Sequence, residues 1–186
     1  MKKLSSILIA CLLLPLMGAQ HNETVTARRR VVSSSLPNLG YTTAGATADT
    51  GAGSTAIVGS AFLATASGTY LTAHVYCGAS SGTLILGVYN YSGSGFPAGT
   101  LVATSGTVPC SSPAAWKTAT ISAPVVSGNY YVLVTSGSSS VVQPYYDSGG
   151  SAFYSIYSYT GSFPSTLPSL GGGANPFNYS LYLSAP

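Results

Sequence analysis

Beyond Gly40 the chain alternates short β-rich apolar runs with clusters of Gly, Ser, Asn and Asp, at intervals of about 8 to 15 residues. No stretch repeats its apolar positions at helical spacing, so an all-β fold is expected. The pattern predicts strands over 56–65, 69–77, 83–90, 100–104, 116–122, 129–135, 141–147, 153–159 and 178–184. Turns are expected at Ser81-Gly82, Ser92-Gly93-Ser94-Gly95, Ser127-Gly128, Ser148-Gly149-Gly150 and Gly171-Gly172-Gly173, where glycine admits positive φ. About nine strands in roughly 145 residues suit a two-sheet antiparallel β-sandwich of jelly-roll type. No internal repeat interrupts that reading.

Strand side chains have period two, so 69–77 should place Leu71, Ala73, Val75 and Cys77 in the core and Tyr70, Thr72, His74 and Tyr76 outside. In 178–184, Tyr179, Leu181 and Leu183 should oppose Asn178, Ser180, Tyr182 and Ser184. One sheet face rich in tyrosine and hydroxyl groups follows. Tyr145 and Tyr146 must face opposite ways, as must Tyr130 and Tyr131. Tyr89 and Tyr91 should share a face beside the 92–99 turn. Trp116, which opens an apolar strand, is assigned to the core, with a sugar-stacking platform as the alternative.

Charge sharpens the picture. From Val31 onward the formal charges are Asp49, Lys117 and Asp147 alone, while all 14 tyrosines lie beyond Gly40. Met1-Lys2-Lys3, the apolar stretch 4–17 and Gly18-Ala19 read as a secretory signal over 1–19, followed by a flexible linker over 20–39 and a β-sandwich domain over 40–186. The apolar stretch is shorter than the ~20 residues that span a bilayer. A rival reading takes Leu8-Ile9-Ala10-Cys11 as a lipobox, so the expected location is secreted or, alternatively, membrane-anchored through a lipidated Cys11. Without 1–19, four basic residues (Arg28, Arg29, Arg30, Lys117) face three acidic ones (Glu23, Asp49, Asp147), a net charge of +1. That balance does not provide the basic face that nucleic acid requires.

An exported compartment permits a disulfide, and Cys77 and Cys110 are the pair available for one; two unpaired thiols are the alternative. The absence of CxxC or Cys/His clustering in the sequence leaves zinc unsupported. Asp49-Thr50-Gly51 and Asp147-Ser148-Gly149 resemble the paired motifs of aspartic proteases, but Asp147 lies between Tyr145-Tyr146 and Gly149-Gly150 rather than in apolar flanks. Both are read as turn formers accepting backbone N–H groups. No cofactor is expected; a structural calcium held by the same two carboxylates and backbone carbonyls is the alternative, limited by carboxylate supply. His74 stands without a nucleophile motif, and catalysis is not expected.

The segments GYTTAGATADTG (40–51), LGVYNYSGSGFPAGTLVATS (86–105), AWKTATISAPVVSGNYYVLV (115–134), YYDSGG (145–150) and NYSLYLSA (178–185) together resemble a jelly-roll module found as an appendage of secreted bacterial surface proteins and glycan-active enzymes. The resemblance implies a non-catalytic β-sandwich of the kind taken to bind carbohydrate or mediate adhesion. Tyr131 stands where a Trp is common, and no second acidic residue follows Asp49-Thr50-Gly51. The expected ligand-binding residues are Tyr70, His74, Tyr76, Tyr89, Tyr91, Tyr145, Tyr146 and Asp147, facing a neutral polysaccharide or cell-surface glycan. The alternative is a structural subunit of an extracellular assembly, self-associating through sheet edges across a nearly uncharged surface.

Overall fold

A computed structural model describes residues 35–79, 81–92, 99–168 and 175–186. The expected signal over 1–19, Cys11, the arginine triplet, most of the linker, the Gly93–Gly95 turn with Phe96-Pro97, and the Gly171–Gly173 turn lie outside them.

The described residues contain no helix and twelve strands. In chain order these are β1 (Leu39–Gly40), β2 (Thr47–Ala48), β3 (Ala56–Leu63), β4 (Gly68–Gly78), β5 (Thr83–Tyr91), β6 (Leu101–Thr104), β7 (Val108–Pro109), β8 (Ala115–Val125), β9 (Tyr130–Gly137), β10 (Gln143–Ile156), β11 (Asn175–Tyr179) and β12 (Leu181–Ser184). Every pairing is antiparallel, and the hydrogen-bonded path runs β1-β12-β4-β10-β3-β9-β5-β6 without closing on itself. On the edge of β4 away from β12 lies β8; β7 pairs β5, and β2 and β11 flank the first half of β10.

β10 joins the two halves of this path. Its Gln143 and Pro144 pair with Gly78 and Cys77 of β4, whereas Ala152 to Ile156 pair with Ser60 to Ala56 of β3. Between them Gly149 and Gly150 adopt φ of 90° and 138°, and the register against β11 shifts between Ser148 and Ala152. Only glycine takes such backbone angles without penalty. The predicted Ser148-Gly149-Gly150 turn is thus a kink inside one 14-residue strand, which merges two predicted strands into one. The count rises above nine for another reason. β1, β2 and β7 are two-residue pairings too short to carry an alternation, and the 178–184 strand is divided at Ser180.

The main core draws Val75, Ile121 and Leu181 from β4, β8 and β12, and Val58, Leu86 and Leu133 from β3, β5 and β9. A second cluster on the opposite side of β3, β5 and β9 holds Ile57, Ile85, Tyr89, Val132 and Val134, covered by Phe163 and Leu167. Burial on both sides explains why β5 and β9 read as nearly continuous apolar runs rather than alternating ones. Gly87 makes the cover possible, since a Cβ there would lie 2.8 Å from the Phe163 ring.

The alternation in β4 departs from expectation at one point. The β4/β8 register shifts between Tyr70 and Thr72, which resets which side faces inward. Tyr70 is therefore buried, with its hydroxyl donating to the Pro37 carbonyl at 2.8 Å, and Leu71, expected in the core, is 41% exposed. Beyond the shift Ala73, Val75 and Cys77 point inward as anticipated. Tyr131, in place of the commoner Trp, is buried, and its hydroxyl accepts the Val126 N–H.

Cys77 at the end of β4 and Cys110 after β7 lie at disulfide distance, with Cα atoms 6.0 Å apart. Closing a loop of 33 residues is worth about 3 to 4 kcal/mol in the chain-entropy model. Denaturant unfolding of the oxidised protein should show that loss on reduction or in Cys77→Ser/Cys110→Ser, and alkylation before reduction should find neither thiol free. A second expectation concerns Gly87. Gly87→Ala should cost about 1 to 3 kcal/mol by displacing Phe163, whereas Gly106→Ala, where a Cβ meets nothing within 4 Å, should leave the unfolding midpoint unchanged.

Candidate functional site

An outward face built on β4, β8, β10 and β12 gathers five rings. Strand register brings them together: Trp116 lies opposite Tyr76 and Tyr182 opposite His74. His74 and Tyr182 stack with centroids 4.1 Å apart and planes within 5°. Trp116 meets Tyr182 edge-on at 5.1 Å and Tyr76 at 5.5 Å, and Tyr76 meets Tyr145 at 5.3 Å. All five side chains are half-buried, so each keeps surface toward solvent.

Polar edges frame the rings. His74 Nε2 is hydrogen-bonded to Ser184 Oγ at 2.9 Å, and the Tyr76 hydroxyl donates to the Ala114 carbonyl at 3.2 Å. Among the described residues, nothing hydrogen-bonds the hydroxyls of Tyr145 and Tyr182 or the indole N–H of Trp116. Asp147, two positions beyond Tyr145 on β10 and so on the same side, marks the rim. Its carboxylate accepts the Tyr41 hydroxyl and the Ala46 N–H, both at 2.9 Å. Partial burial lowers the His74 pKa below its usual value, which favours the neutral ring at pH 7. The five-ring patch therefore carries no formal charge.

Tyr146 points the other way, into a cleft of about 430 Å³ whose lining includes Asp49, Ile156, Tyr154, Phe177 and Tyr179. Asp49 does form a turn there, its Oδ1 accepting the N–H groups of Gly51 at 2.9 Å and Ala52 at 3.1 Å. Its Oδ2 accepts the Tyr179 hydroxyl. Burial, then that hydrogen bond and the carboxylate charge, push the Tyr179 pKa up. Asp147, by contrast, sits within β10 and not in a turn, and it shares no hydrogen-bond partner with Asp49. The dyad needed for aspartic-protease chemistry, two carboxylates sharing one proton, is not formed. Among the described residues no three His, Cys, Asp or Glu side chains cluster as a metal site would require.

Of the eight residues singled out by sequence, His74, Tyr76 and Tyr145 join the patch and Asp147 its rim. Tyr146 lines the cleft, and Tyr91 packs on Tyr130 and Phe153 at another edge. Tyr70 and Tyr89 are 1% and 0% exposed, so neither presents a surface. Each is held by its own hydroxyl, Tyr89 donating to the Pro164 carbonyl at 2.7 Å, and burial raises both pKa values. No protein-family model and no curated protein matches the chain.

Two members of the patch stand outside the expected binding residues. Tyr182 was placed on the outer face without being singled out, and Trp116 was assigned to the core. Counting back from buried Val125, Ala123 and Ile121 sets Trp116 on the outward side with Thr118 and Thr120, the signal that would have found it.

His74 supplies a pH test. Its folded pKa lies below the unfolded value of 6.5, so the unfolded chain binds more protons as pH falls. Stability should be full above about pH 6.5 and decline as pH drops toward 5, before the carboxylates titrate. Unfolding midpoints measured across that window should slope downward, and His74→Gln should flatten the slope.

Proposed function

We propose that the domain is an exported, non-catalytic module that binds a neutral glycan or surface polymer on the five-ring patch. The observation that carries this reading is the patch itself, five contiguous rings without a formal charge. A sugar ring presents C–H groups of weak positive potential that suit the negative face of an aromatic ring. Its hydroxyls would meet Tyr145, Tyr182, the Trp116 N–H and Asp147 at the edges. The open sheet bent at β10, with a core fed by strands from both halves of the path, supports a two-layer sandwich of jelly-roll type as the scaffold. The scarcity of titratable groups supports binding without turnover.

A second reading, an assembly subunit, is favoured by one specific observation. β8 runs for 11 residues, and among the described residues it pairs only with β4, leaving its other edge unmatched. Lys117 and Pro124 within it act against casual pairing.

Retention on immobilised neutral polysaccharides, followed by a glycan array, tests the first reading. Trp116→Ala and Tyr182→Ala should each weaken binding at least about tenfold, or ~1.4 kcal/mol, with the unfolding midpoint nearly unchanged. Concentration-dependent assembly in light scattering, with an empty array, would replace it with the second.

A further inference from the structure

The cleft behind Tyr146 combines three features that the glycan reading does not use. First, it is concave, at about 430 Å³, within the range of small-ligand sites. Second, four rings line it, those of Tyr146, Tyr154, Phe177 and Tyr179. Tyr146 sits 4.2 Å from Phe177 and 5.7 Å from Tyr179 between centroids, so three of the four form one packed group. Third, among the described residues the one charged group on its wall is the Asp49 carboxylate.

Among the described residues the charge on that wall has no basic neighbour. Among the described residues the basic side chains are His74 and Lys117, and neither lines the cleft. The sequence from Val31 onward adds no further lysine or arginine. A carboxylate offers about four lone-pair sites, of which three are taken by Gly51 N–H, Ala52 N–H and the Tyr179 hydroxyl. Burial keeps the Tyr179 phenol protonated and donating. Asp49 thus presents negative charge to an aromatic cavity while its position is fixed from three directions.

Aromatic faces attract cations through the ring quadrupole, and the attraction strengthens when water is excluded. A neutral apolar ligand would gain nothing from the carboxylate, and an anion would be repelled by it. We propose that this cleft binds a small free organic ammonium ion, the trimethylammonium group being the size and charge that suit it. The site lies on the opposite side of β10 from the five-ring patch, so its fate is independent of the glycan reading.

Titration calorimetry of the full chain with choline chloride, set beside its uncharged isostere 3,3-dimethylbutan-1-ol, tests the proposal. Choline should bind at least tenfold more tightly than the alcohol, and more weakly as salt rises. Asp49→Asn retains an acceptor for the two turn amides, and should lower choline affinity at least fivefold while leaving the alcohol unaffected. Tyr154→Leu keeps an apolar wall without a π face and should act the same way, providing a second variant if the first fails to fold. Equal affinity for choline and the alcohol would overturn the proposal, as would no binding by either. Binding confined to phosphatidylcholine vesicles, with none to free choline, would also overturn it.

Discussion

The structure depends on one strand being shared. β10 hydrogen-bonds to β4 at its start and to β3 at its end, and the change of partner is absorbed at Gly149 and Gly150. Positive φ at those two positions kinks the strand where its register against β11 shifts. The space opened by the change of partner is filled by β11, whose Tyr179 N–H donates to buried Ser60 Oγ at 3.0 Å, while Ser60 donates to the Phe177 carbonyl at 3.3 Å. Among the described residues no buried side-chain nitrogen or oxygen is left without a partner. Such satisfaction is what a divided sheet needs, because an unpaired polar group inside it would cost about 1 to 3 kcal/mol.

This shared strand also sets the functional layout. Tyr145 and Tyr146 are successive residues of β10, and the pleat sends the first to the five-ring patch and the second to the aspartate cleft. A single strand thus positions two aromatic surfaces back to back. Asp147 then returns to the patch side and ties down Tyr41 and Ala46, so the lead-in to β2 is anchored to the same strand.

Much of this was legible in the period-two pattern, and the exceptions have physical causes. Ala73, Val75 and Cys77, and Leu181 and Leu183, were placed inward by alternation alone. Tyr70 and Leu71 were exchanged because a register shift changes the inward side without leaving a mark in residue type. Ser148-Gly149-Gly150 has the composition of a turn, and only the pairing of both halves of β10 with different strands makes it a kink instead. Tyr89 was misjudged because the cover over the second side of β5 comes from Phe163 and Leu167, far along the chain in a segment without strong strand pattern. The aromatic patch was half visible: the residues on β4 and β10 could be named, but which rings touch depends on strand neighbours that periodicity does not supply.

The scarcity of charge acquires a structural meaning from the two aspartates. Each is held by a tyrosine hydroxyl and by backbone N–H, Asp147 by Tyr41 and the one N–H of Ala46, Asp49 by Tyr179 and the N–H groups of Gly51 and Ala52. Neutral dipoles thus take the place that lysine or arginine would fill in a salt bridge. A carboxylate held by dipoles is positioned firmly but keeps its full formal charge, whereas one paired with a cation does not project a net field. The domain can therefore be nearly free of charge in composition and still offer a negative site at Asp49 and a polar acceptor at Asp147. Tyrosine serves in both places because its ring fills apolar space while its hydroxyl supplies the donor. That dual use explains why a chain with so few charges concentrates its tyrosines in this domain.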